Sequence, residues 1–243
     1  MLADSVQTRT RTGARRATTV ERLAGAGGIA FVALIVIQNI VRASGPSFTA
    51  SPASVTSYFA DHRVAALLPL ALFPLGMVAI LGFAAGIWTR AHDAGSRFWA
   101  GVGCLAVAAI AALFSLVNII EIAIAVKGGD LAASPRVVTA LWTVHSAAFG
   151  LNLTAIALAL VGLSRVAVAT GLIPRALART ALLGAACLFV AAVFTVAIAE
   201  GGKWLYLGYL GFVIWGVFLL VTGVSLFRGR PASTLATTED GTA

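Results

Sequence analysis

The sequence predicts an all-α membrane protein, a bundle of six transmembrane helices, and three observations carry that reading. Of the 243 residues, 60% are hydrophobic and only 11% charged, where a soluble domain carries about 25% charged residues. The mean hydropathy is +0.97, and too few charges are available to coat a soluble surface. The apolar residues are also gathered into six runs, each long enough to cross a hydrocarbon core of about 30 Å as a helix. Lipid offers no partner to an open backbone group, and the runs lack the short alternating segments of barrel strands, so each reads as a helix.

The first span covers residues 23–42, behind a basic stretch with Arg15 and Arg16 that reads as part of a disordered cytoplasmic tail over 1–20. Ala43-Ser44-Gly45 follows it in the manner of an export-signal cleavage site. A run of about 20 residues is longer than the roughly 7–15 of a signal-peptide core, so retention is expected, with cleavage within residues 1–43 left open. The second span, 64–88, is preceded by Ser51-Pro52 and contains Pro69 and Pro74, which predict kinks. The third, 98–126, carries Asn118 and Glu121 on one face. The fourth, 137–163, is preceded by Ser134-Pro135 and carries His145 and Asn152, seven apart and so on one face. The fifth and sixth, 180–199 and 203–227, meet at a tight turn, Glu200-Gly201-Gly202-Lys203, which suggests a local ion pair. Gly82-x-x-x-Gly86 suits close helix approach. Residues 21–228 form one transmembrane domain, and 229–243 read as a second disordered cytoplasmic tail.

Orientation follows from basic residues at the span ends. One set of flanks holds Arg9, Arg11, Arg15, Arg16, Arg22, Arg90, Arg97, Arg165, Arg175, Arg179, Arg228 and Arg230; the other holds Arg42, Arg63, Lys127, Arg136 and Lys203. Twelve against five places both termini in the cytoplasm and the 43–63 and 127–136 loops outside, in a plasma (inner) membrane. Trp88 and Trp99 then lie at inner helix ends, and Trp142, Trp204 and Tyr206 at outer ones, as an aromatic belt requires. Fifteen of the 17 basic residues are Arg, a bias suggesting a GC-rich bacterial genome.

An offset of 83 residues aligns the chain with itself: residues 50–120 match 133–203 without gaps at 18 of 71 positions. Alanine-rich spans match easily, so the weight falls on the rarer pairs, Ser51-Pro52 with Ser134-Pro135 and His62 with His145. Ser followed by Pro reads as a helix start, an N-cap and a first helical residue whose missing N–H costs nothing. Helices 2 and 4 should therefore each begin a turn or two outside the membrane. The unit advances by two helices, so the copies share one orientation, and the chain reads as three tandem hairpins. The register aligns Gln38 with Glu121, and with a gap brings in Glu200.

Polar groups at lipid depth are costly and mark candidate sites. They gather toward the outer side: Gln38 and Asn39 in helix 1, Asn118 and Glu121 in helix 3, His145 and Asn152 in helix 4, and Glu200 with Lys203 at the last turn. The inner halves look nearly free of them. This predicts an outward-facing polar pocket. Its candidate residues are Gln38, Asn118, Glu121, His145, Asn152 and Glu200. Each also has a structural reading: Glu121, six residues before Lys127, could snorkel to the interface or hold an interhelical hydrogen bond, and the two Asn side chains could tie helices together. A metal site would have to draw on His62, Glu121 and His145 from three helices, with no close spacing to enforce it. The two repeat-related histidines could alternatively ligate haem. No cofactor is expected; zinc and haem are the alternatives. His92, beside Asp93, reads as solvated, and Cys104 and Cys187 as packing residues.

The stretches Tyr58-Phe59-Ala60-Asp61-His62-Arg63 and Asn118-Ile119-Ile120-Glu121 resemble those of the uncharacterised six-helix integral membrane proteins of GC-rich bacteria, grouped as domains of unknown function. The resemblance covers roughly 20–228 and implies the topology, with no activity attached.

Scattered basic residues form no nucleic-acid face, two cysteines form no disulfide framework, and Gly-x-Ser-x-Gly, His-Glu-x-x-His and Walker motifs are missing. The reading is a non-enzymatic membrane subunit or scaffold, in contact with lipid and with a membrane protein partner or second copy. A small-solute or proton-coupled transporter using Glu121 and His145 is one alternative, and a metal- or haem-dependent membrane enzyme the other.

Overall fold

A computed structural model describes residues 17–91 and 94–229. Of the tails expected over 1–20 and 229–243, residues 1–16 and 230–243 lie outside the described residues, as does His92. Within them the chain is helical: α1 (Thr19–Arg42), α2 (Pro52–Asp61), α3 (Arg63–Trp88), α4 (Ala94–Ala132), α5 (Pro135–Ala169), α6 (Arg175–Val193), α7 (Thr195–Ala199) and α8 (Leu205–Arg228). Six of these, all but α2 and α7, are long and apolar enough to cross a membrane.

Local chemistry sets the ends. Glu21 N donates to Thr18 Oγ1 at 3.2 Å and Thr18 N donates to Glu21 Oε2 at 2.9 Å, a capping box that satisfies two donors at the start of α1. Ser51 and Ser134 are both N-caps followed by proline, as the sequence predicts; Ser51 Oγ accepts from Ser54 N at 3.2 Å, whereas the Ser134 side chain makes no capping bond.

Two expected continuous helices are broken. The segment after Ser51 ends at His62 (φ −116°, ψ 33°), so α2 is a separate helix rather than an extension of α3. The fifth span breaks at Phe194 between α6 and α7. There Thr195 Oγ1 donates to Ala192 O at 2.6 Å, competing with the helix's own backbone pairing. Gly150 of α5 makes room for it: a Cβ on Gly150 would lie 2.5 Å from Thr195 Cγ2.

Each span packs on the next: α1 on α3, α3 on α4, α4 on α5, α5 on α6, α6 on α8, and α8 back on α1. The six spans thus close into a ring in chain order. α5 is drawn inward, with 67% of its most apolar window buried against 28% in α1 and α3. Glycines bring helix backbones together: a Cβ on Gly162 would lie 2.5 Å from Gly103 N, one on Gly25 2.5 Å from Gly223 O, and one on Gly211 2.6 Å from Gly184 O. Without a hydrophobic force between helices in lipid, such close approach supplies the van der Waals contact that holds them. In Gly82-x-x-x-Gly86 only Gly86 packs, against Ala24; Gly82 faces open space.

Ile80, Phe83, Leu160, Leu163, Phe218 and Leu219 fill the middle of the ring. At one end, called here the α2 end, Val55 and Phe59 of α2 cluster with Ile120 and Ile124 of α4 and with Val138 and Trp142 of α5. The outward surface exposes large apolar side chains such as Leu23, Ile40, Leu75, Val78, Leu105, Ile119 and Val213. Apolar exposure on this scale marks an interaction surface.

Candidate functional site

The α2 end of the ring gathers three of the candidate polar residues, Asn118, Glu121 and His145, into one cluster with Arg42. Glu121 of α4 is buried. Its Oε2 accepts from Arg42 Nη2 at 2.8 Å, and its Oε1 lies 3.1 Å from His145 Nε2 of α5. Arg42 Nη2 also donates to Asn118 Oδ1 at 3.1 Å, while Asn118 Nδ2 donates to Phe114 O at 2.6 Å. Arg42 reaches across from α1, which packs on α3 and α8 rather than closely on α4. A carboxylate can only accept, so Nε2 of His145 carries the hydrogen of that bond.

Aromatic rings enclose the imidazole. Trp142, one turn earlier on α5, stacks on it with centroids 4.2 Å apart and planes within 7°, and Phe48 lies 6.4 Å away on the segment linking α1 to α2. Trp142 Nε1 donates to Ser47 O at 2.9 Å, which straps that segment over the cluster. Two buried atoms of the cluster have no hydrogen-bond partner, His145 Nδ1 and Arg42 Nε.

The other candidates take different places. Gln38, one turn before Arg42, is buried and donates from Nε2 to Pro69 O at 3.2 Å; below it lies a narrow apolar crevice lined by Phe31, Ile35, Phe73, Met77 and Phe114. Asn39 is exposed and bonds back to Ile35 O. Asn152 is buried on the His145 side of α5, with Oδ1 unpartnered. Glu200 is exposed, without the local ion pair to Lys203, because the turn projects both side chains outward. His62 is exposed and stacks on Tyr58 at 5.1 Å, so it does not join Glu121 and His145. Among the described residues no three His, Cys, Asp or Glu side chains come together to hold a metal ion. Cys104 donates from Sγ to Ala84 O at 3.5 Å, and Cys187 is buried; both are free thiols.

Of the two structural readings open to Glu121, the interhelical bond is the one seen: it turns to Arg42 and His145, while Lys127 pairs with Asp130 at 3.7 Å on the exposed end of α4. The other end of the bundle carries a charge pair of its own, just outside the spans expected from the sequence: Glu21 Oε1 accepts from Arg90 Nη2 at 2.9 Å, with both side chains buried. That pair was legible in part, since Thr18-x-x-Glu21 is a capping-box pattern. Arg42, Trp142 and Ser47 were not singled out for the cluster. The available signal was Glu121 itself, a buried acid that needs a cation.

Comparison of the chain with known protein families, curated proteins and solved structures gives no match.

Proposed function

We propose that the chain is a multi-pass integral membrane protein acting as a non-enzymatic subunit or scaffold, with both termini in the cytoplasm and the α2 end outside. One observation carries this reading. Glu21 and Arg42, the α1 members of the two interhelical ion pairs, stand 21 positions apart on one helix. At 1.5 Å per residue that is about 32 Å, close to the roughly 30 Å of a hydrocarbon core. The two charge pairs therefore fall at the two membrane boundaries, with an apolar interior of Ile80, Phe83, Leu160 and Phe218 between them. A transport site is expected near the midplane, and here the charge stands at the rims and is bonded to itself. The exposed apolar side chains fit contact with lipid, and the excess of arginine on the flanks opposite the α2 end supports the orientation.

The test is isolation of the chain at native abundance in mild detergent, followed by native mass spectrometry. A fixed ratio to a second membrane protein or to further copies of itself is expected; a lone monomer would contradict it. A second reading, a proton-coupled transporter using Glu121 and His145, is favoured by the unpartnered His145 Nδ1 and Asn152 Oδ1 on one side of α5. Proteoliposomes loaded with a pH-sensitive dye separate the two. The subunit reading expects no proton flux beyond that of empty vesicles, and flux that is lost in Glu121→Gln would favour the transporter.

A further inference from the structure

We propose that His145 makes the strap over residues 43–50 a proton-released latch, bound while the imidazole is neutral and let go when it is protonated. The strap is lightly held. Among the described residues, its one hydrogen bond to a span other than α1 is from Trp142 Nε1 to Ser47 O, 2.9 Å. Trp142 is in turn stacked on His145 at 4.2 Å, and the strap's Phe48 faces the same imidazole at 6.4 Å. The ring that could gain a proton is therefore in contact with both ends of the fastening.

The neutral ring suits this enclosure. Its Nε2–H is taken by Glu121 Oε1, and Nδ1 is buried with no hydrogen-bond partner. A proton at Nδ1 creates a buried N–H with no acceptor, a costlier deficit than an idle lone pair. It also adds a second positive charge to a carboxylate that Arg42 already engages at 2.8 Å. The stacked indole tolerates the charge by cation–π attraction, so the unmet need is at Nδ1. Water meets that need once Phe48 moves aside, and movement of Phe48 carries the Ser47 carbonyl away from Trp142.

The charged neighbours are few. From α4 the ring faces Glu121, and from α1 Arg42 reaches the same carboxylate. The strap has no titratable side chain. From α2, Phe59 meets Trp142, while Asp61, His62 and the following Arg63 are exposed; Glu200 after α7 and Lys203 before α8 are also exposed. Of the groups in contact with the fastening, His145 is therefore the one through which a proton would act.

The experiment is the indole N–H spectrum of the full chain, labelled with ¹⁵N-tryptophan in nanodiscs and followed from about pH 8 to 5. The Trp142 signal is assigned by its loss in Trp142→Phe. It is expected to shift and to gain exchange with water on the acid side. The transition should vanish in His145→Gln and stay in His62→Gln. A Trp142 signal that stays fixed across the range in the unmodified chain overturns the proposal without recourse to any variant. So does a transition that survives His145→Gln or disappears in His62→Gln.

Discussion

Glu121 holds two partners with its two carboxylate oxygens, and its removal leaves Arg42 without a counter-charge and His145 Nε2 without its acceptor. Breaking a buried pair in this way costs about 3–5 kcal/mol. Arg42 retains 26% side-chain exposure, so Glu121→Gln is expected at the low end, about 3 kcal/mol, read as a fall in the unfolding midpoint in micelles. The double variant Arg42→Gln, Glu121→Gln should recover much of that loss, because no charge is then left unpaired. A double variant as unstable as the sum of the two single ones would show that the pair is uncoupled. Asn118, Glu121 and His145 were legible in the sequence because each is expensive at lipid depth and all lie toward one side. Arg42 was not, since a basic residue at a span end looks like any flanking charge until helix adjacency is known. Glu200, on the outer side, and His62, a candidate metal ligand, were read as part of the site, yet their backbone positions at a turn and a helix break leave both exposed.

At the scale of elements, the contact of α4 with α5 depends on a glycine. Gly162→Leu would drive its side chain into the backbone of Gly103 and Trp99, and overpacking of this kind costs about 1–3 kcal/mol. Gly82→Ala is the matched control: nothing lies within 4 Å of the new Cβ, and relief of glycine's entropy should stabilise α3 by about 0.5–1 kcal/mol. Thermal melts of the two variants should therefore move in opposite directions, and a common direction would contradict the packing described. Trp142→Phe keeps the ring stacked on His145 but deletes the bond to Ser47, worth about 1 kcal/mol; protease cleavage within residues 43–50 should speed up while the rest of the chain stays protected. The spans were readable from length and hydropathy to within six residues at each end, and the Ser-Pro starts from capping chemistry. The breaks at His62 and Phe194 were not. Each rests on a tertiary feature, the packing of α2 across α4 and α5 in one case and the Gly150 notch in the other.

At the scale of the whole molecule, hydropathy predicts how many helices cross but not which ones touch. The ring in chain order, with α5 drawn inward, comes from glycine contacts between helices far apart in sequence, such as Gly25 with Gly223. The central claim is that the two ion pairs mark the two faces of a bilayer. Nitroxide labels test it most directly when placed singly along the exposed stripe of α1, at Leu23, Ala30, Ala33, Ile37 and Ile40, in a chain with Cys104→Ala and Cys187→Ala, reconstituted in vesicles. Collision with oxygen against a water-soluble nickel reagent gives the depth of each label. The account predicts the greatest depth at Ala30 and Ala33, with Leu23 and Ile40 shallow and close to the two opposite surfaces. Uniform access of the nickel reagent along α1, or a depth maximum at either end of the helix, would contradict it.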